Sequence, residues 1–166
     1  RAMFWSVFVY VAFATVIGYG AAAAALALTG ASVLAASWYA FASMLGTSIL
    51  LGAVFVAIGY LISSLVRDRG TAAGLSVGIW LLMVLVFDMG LLGILVIDQG
   101  RIISAPVLEA LLFLNPTDLY RLTNLTGFNV SQFAGMAGLA GTASVGVGAL
   151  LSGLMVWIAA PLGQAT

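Results

Sequence analysis

The chain has 166 residues, 64% hydrophobic and only 6% charged, with a mean hydropathy of +1.24. Soluble domains run about 45–50% apolar and about 25% charged, so this chain cannot clothe a water-facing surface and reads as a polytopic membrane protein. Its five Arg and five acids balance to zero net charge, which leaves no basic patch for nucleic acid.

Three absences narrow the chemistry. No His means no imidazole base, metal ligand or pH switch. No Cys means no disulfide and no thiolate nucleophile or metal site. No Lys means no P-loop lysine and no Schiff base. The composition implies a protein without an active site, resident metal or cofactor of its own. The chain opens on Arg1, and an apolar run begins at Phe4 with no secretory signal pattern before it, which reads as a piece of a longer protein.

No charge occurs between Ala2 and Val66. A helix needs about 20 apolar residues to cross the hydrocarbon, so this tract predicts two spans, about 4–28 and 38–65. Thr29, Gly30, Ser32 and Ser37 mark the turn between them. Trp5, Tyr10, Trp38 and Tyr39 lie near the predicted ends, as interfacial aromatics do. Arg67, Asp68 and Arg69 follow as a tight polar turn, since each charge would cost about 2.5–3.5 kcal/mol at a helix centre. A third span is predicted at 71–97 with Asp88 inside it, and a fourth, free of charge, at 134–160.

The segment 98–133 holds Asp98, Arg101, Glu109, Asp118 and Arg121. Pro106 near the start of one apolar run, and Asn115-Pro116-Thr117-Asp118 at the start of the next, predict two short helices. Proline suits the first helical position. Asn115 suits the N-cap, and Asp118 suits the third position, from which it can reach back to the cap N–H. Leu119, Leu122 and Leu125 recur at helical spacing. The helices are too short to span, and are expected to pack against or into the outer face. The competing reading is a plain connecting loop, although long structureless loops are uncommon.

Four spans put both ends of the chain on one side. The positive-inside rule sets Arg1, Arg67 and Arg69 against Arg101 and Arg121. That assigns the Arg67–Arg69 turn to the cytoplasm and the 98–133 segment to the outside.

Asp88 is the only ionisable group that can lie inside a span, and an intramembrane acid is a functional candidate by default. A proton- or cation-coupled secondary transporter using Asp88 is therefore the alternative function. The structural reading ends the span at Asp88-Met89-Gly90, leaving Leu91–Ile97 as a re-entrant piece broken at Gly90 and Gly93. Gly70, Gly74 and Gly78 open the third span, and Gly135, Gly138, Gly141, Gly146, Gly148 and Gly153 punctuate the fourth. Such small residues allow close helix approach, either within the chain or at a dimer or moving interface. Gly74-Leu75-Ser76-Val77-Gly78 matches the nucleophile elbow on paper. The elbow needs a strand-to-helix turn and a His, so it is rejected. The six Met show no pair at helical spacing and read as gap-fillers. Asn124 and Asn129 match the short glycosylation pattern, and carry no weight in a bacterial protein.

The order of three segments carries further information. They are Arg67-Asp68-Arg69-Gly70-Thr71-Ala72, Phe87-Asp88-Met89-Gly90-Leu91-Leu92, and Leu114-Asn115-Pro116-Thr117-Asp118-Leu119-Tyr120-Arg121-Leu122. Together, ahead of a final Gly-rich span, they resemble the permease subunits of type-2 ABC exporters. Within these they resemble the NosY-like kind, which serves copper-site maturation of nitrous oxide reductase. The resemblance implies an all-α polytopic bundle corresponding to spans three to six of six, with two short periplasmic helices. It implies a bacterial inner-membrane location, a homodimer, a cytoplasmic ABC ATPase subunit that binds the ATP, and a periplasmic β-helical copper-handling protein. It further implies that Arg67, Asp68 and Arg69 lie near the ATPase, and that Asn115, Pro116, Asp118 and Arg121 face the periplasmic partner.

Overall fold

The computed structural model describes residues 2–29, 35–98, 105–127 and 146–164. They form α1 (Ala2–Leu28), α2 (Ala35–Leu65), α3 (Arg69–Leu81), a π turn (Leu82–Val86), α4 (Phe87–Asp98), α5 (Ala105–Phe113), α6 (Pro116–Gly127) and α7 (Val147–Gln164). No strand occurs among the described residues. Four helical stretches are long and apolar enough to cross a membrane: Ala2–Leu28, Trp38–Leu65, Arg69–Asp98 and Val147–Gln164. The fold is an all-α polytopic membrane bundle.

Boundaries differ from expectation at three places. Ser37 lies inside α2, not in the turn before it. The third span does not break at Gly90 or Gly93; the helix runs on to Asp98, and its irregularity is the π turn Leu82–Val86, which ends before either glycine. The last helix passes through Pro161 to Gln164. Positions 134–145, with Gly135, Gly138 and Gly141, lie outside the described residues, as do Arg1, Arg101 and Asn129.

The core explains why the short helices are not surface decoration. Val54, Ile58 and Ile62 of α2, Ala72 of α3, Leu150 and Leu154 of α7, and Leu119 and Leu122 of α6 form one buried cluster. Thus α6 sits inside the bundle, between α2, α7 and the third span. On the far side of α2, α1 packs closely. A Cβ on Gly52 would lie 3.3 Å from Val11 Cγ1, and the Phe4 and Tyr60 rings meet edge to face at 6.5 Å. Phe4 and Trp5 share a cleft with Ala159, Leu162 and Gly163 of α7. The start of α1, the end of α2 and the end of α7 therefore gather at one end of the bundle. The α5–α6 hairpin inserts from the other.

Candidate functional site

At the first end, Asp68 caps α3. Its backbone is extended at φ −88° and ψ 126°, and its carboxylate accepts from the Thr71 N–H at 2.6 Å and the Thr71 hydroxyl at 2.7 Å. These bonds, the hydroxyl's first, hold the Asp68 carboxyl below its ordinary range. Arg67 and Arg69 flank it, with Arg69 as the first residue of α3. The turn forms because Asp68 supplies the acceptor that the opening helical N–H groups lack.

At the second end, Asn115 and Pro116 reverse the chain between α5 and α6. Asn115 is the N-cap: its Oδ1 accepts from the Thr117 N–H at 3.0 Å. Asp118 does not reach the cap N–H as expected; its Oδ2 accepts from the Asn115 amide at 3.0 Å instead. That amide also donates to the Met83 carbonyl in the π turn at 2.8 Å. One helical turn further along α6, Arg121 forms an ion pair with Asp88 of α4 and lies 3.6 Å from Asp118. Two carboxylates thus share one guanidinium.

The expectation that Asn115, Pro116, Asp118 and Arg121 face a partner meets a different arrangement. Asn115 is 1% exposed and Asp118 6%, and the Pro116 side chain is fully buried. Their polar atoms are spent within the chain. Arg121 and Asp88 keep 37% and 29% of their side-chain surface open, so this pair is what the corner offers to anything outside it. Asp88 lies about 28 Å along the third span from Arg69, at about 1.5 Å per residue. With a hydrocarbon core about 30 Å thick, that puts it near the membrane boundary opposite Arg69.

Contacts that sequence reasoning missed tie the hairpin to the remaining spans. The hydroxyls of Tyr19, Ser48 and Tyr120 form a chain across α1, α2 and α6, at 2.9 and 3.2 Å. The Thr47 hydroxyl lies 3.1 Å from Asn124 Oδ1. Trp157 Nε1 donates to the Phe113 carbonyl at the end of α5, at 3.1 Å. Gly153 lets α7 approach: a Cβ there would lie 3.0 Å from Phe113 Cε1 and 3.1 Å from Leu119 Cδ1. Thr47 and Ser48 inside an apolar helix, and Tyr120 and Asn124 one turn apart on α6, were the available signals. Gly74 and Gly78 behave oppositely, since a Cβ on either would meet nothing within 4 Å among the described residues. Ser76 donates to the Ala72 carbonyl at 2.8 Å in mid-helix, far from any elbow geometry. No group of three or more Asp or Glu that could hold a metal occurs among the described residues.

An apolar helical bundle with a polar-stitched hairpin set into one end is the architecture of a multi-pass membrane protein. The family model described as ABC-2 family transporter protein matches residues 2–166, and the chain belongs to that family. It is 45% identical over 155 residues to the Pseudomonas aeruginosa protein named "Probable ABC transporter permease protein NosY", across 93% of this chain and 56% of that protein. The protein of the same name from Stutzerimonas stutzeri is 43% identical over 153 residues, across 91% of this chain and 55% of its own length. The chain therefore spans about half the length of these curated relatives.

Proposed function

We propose that the chain is part of the helical bundle of an ABC transporter permease that couples ATP hydrolysis by a partner subunit to an event on the outer side of the membrane. The particular event is copper-site maturation of nitrous oxide reductase, by mechanical transmission or by export of a small sulfur- or copper-related cargo. The Arg67–Arg69 end lies in the cytoplasm near the ABC ATPase, and the hairpin end lies in the periplasm of a bacterial inner membrane. The permease works as a homodimer, with a β-helical copper-handling protein outside and no bound cofactor of its own.

The observation that carries this reading is the identity of 45% to a permease across 93% of the chain. The hairpin supports transmission: α6 touches α2, α7 and the third span at once, so any relative movement of the spans is felt there. The secondary-transporter reading, with Asp88 as the proton or cation ligand, is disfavoured because Asp88 is committed to Arg121.

Affinity purification of the full-length protein from its native membrane tests the proposal. An ABC ATPase subunit co-purifies, and deleting it abolishes spectroscopically normal copper sites in nitrous oxide reductase. Recovery of the full-length protein with no ATPase subunit overturns the transporter reading. Normal copper sites in the deletion strain overturn the maturation role.

A further inference from the structure

The π turn and Asn115 form a matched pair. In the turn, the Phe87 N–H bonds the Leu82 carbonyl, five residues back. The chain is α-helical again from Phe87, and a regular four-residue pattern from Asp88 onward takes its N–H to Val84, which passes over the Met83 carbonyl. Within a membrane a passed-over carbonyl must find another donor. The Asn115 amide is that donor. If the turn tightened to a regular α-helix, the Phe87 N–H would take the Met83 carbonyl and Asn115 would be released. Each arrangement satisfies the Met83 carbonyl once.

The geometric consequence is large. A π turn holds one residue more than an α turn accommodates. Tightening it rotates everything beyond it by about 100° and advances it by about 1.5 Å. Each residue of α4 then takes the angular place of the residue after it. Phe87 replaces Asp88 beside Arg121, and Ile94 replaces Leu95 against the bundle. The ion pair and the amide contact break together, because both hold the same hairpin, the amide contact from within the turn at Met83 and the ion pair just beyond it at Asp88.

We infer that the π turn Leu82–Val86 is a register switch in the third span, held in its present state by Asn115 and by the Asp88–Arg121 pair, and that its tightening turns α4 and frees the α5–α6 hairpin. The inference rests on the transporter reading only for what drives the switch.

The test uses full-length protein in lipid nanodiscs, with spin labels on Ile94→Cys or Leu95→Cys and accessibility read with lipid-soluble oxygen. In the resting state Ile94 is 53% exposed and Leu95 half-buried, so position 94 is the more accessible. Adding Asn115→Ala removes the donor to Met83, and the order of the two positions inverts. In protein lacking Val84 the turn has no surplus residue, so Asn115→Ala leaves the order unchanged. An unchanged order in the first background overturns the switch. So does an inversion that persists after the deletion, because it reports collapse of the hairpin. Neither arm needs an ATPase. With the ATPase bound, trapping ATP inverts the order in the parent protein; if the Asn115→Ala arm inverts and this arm does not, the transporter coupling fails and the switch stands.

Discussion

Arg121 stands between two carboxylates, and removing it should do far more damage than removing Asp88. Asp88→Asn leaves Arg121 paired with Asp118 at 3.6 Å and deletes a charge whose side chain is already 29% exposed. Pairs that open to solvent are worth about 0–1 kcal/mol. Arg121→Gln instead leaves Asp118, 6% exposed, without a cation and with Asp88 still nearby. Removing one partner of a buried pair costs about 3–5 kcal/mol, and the 37% exposure of Arg121 lets water screen that to about 2–3 kcal/mol. The two variants should therefore differ by about 30-fold in the unfolding equilibrium at 1.4 kcal/mol per tenfold. Denaturant unfolding of the full-length protein in bicelles measures this. Adding Asp118→Asn to Arg121→Gln should recover most of the loss, because the orphaned charge is gone. Equal costs for the two single variants, or no recovery in the double variant, would refute the shared-guanidinium argument. On the proposed permease function the same Asp88→Asn protein should retain activity, because Asn115 still holds the π turn through the Met83 carbonyl, whereas a carrier using Asp88 would lose it.

Three further outcomes follow from the packing and the cap. Gly153→Ala should destabilise by about 1–3 kcal/mol through overpacking against Phe113 and Leu119, while Gly74→Ala, which meets nothing within 4 Å among the described residues, stays within about 0.5 kcal/mol in the same unfolding assay. Leu119→Ala, at a fully buried position, should cost about 2–5 kcal/mol and increase proteolysis at the hairpin. Asp68→Ala should reduce hydrogen-exchange protection of the Thr71 amide. The Asp68 carboxyl is held below its ordinary value, so the native state favours the ionised form. The cap is fully present above the ordinary carboxylate range and is lost as pH falls through the lowered value; the difference between parent and variant should vanish in acid.

Hydropathy made the four spans legible because a charge-free tract of that length has no other soluble or membrane solution. The Asn115 cap was legible for a related reason: Asn115-Pro116 sits where the chain must supply an acceptor to a helix start, whereas Asp68 reads in the sequence only as part of a polar turn and emerges as the cap of α3 in the structure. The fate of the polar residues was not legible. Asn115 and Asp118 look like surface residues by type, and only tertiary packing turns their polar atoms inward. The π turn has no composition of its own. Leu82-Met83-Val84-Leu85-Val86 is an unbroken apolar run, and what permits the extra residue is an amide donor 32 positions away at Asn115. Gly90 and Gly93 pointed to a break that does not occur, since glycine permits a kink without demanding one.

The division between apolar and polar contacts has a mechanical meaning. In lipid, apolar helices gain little from choosing one neighbour face over another, so contacts such as those of Val54, Ile58, Leu150 and Leu154 allow small sliding and tilting. Hydrogen bonds and small-residue contacts do fix rotation and depth. Apart from the Asp68 cap and the α1–α2 contacts of Tyr19 with Ser48 and Gly52 with Val11, they concentrate on the hairpin: Ser48 with Tyr120, Asn115 with Met83, Arg121 with Asp88, Trp157 with Phe113, and Gly153 over Leu119. On the proposed function, movement that enters near Arg67–Arg69 passes along the spans as tilt, but at the other end the hairpin ties three spans together. Between the Arg67–Arg69 turn and that clamp, the π turn is where the third span's own hydrogen bonding departs from a regular helix, and its free carbonyl is closed by the clamp itself. Conformational freedom in the third span is therefore placed directly beneath the residues that would have to report it outside.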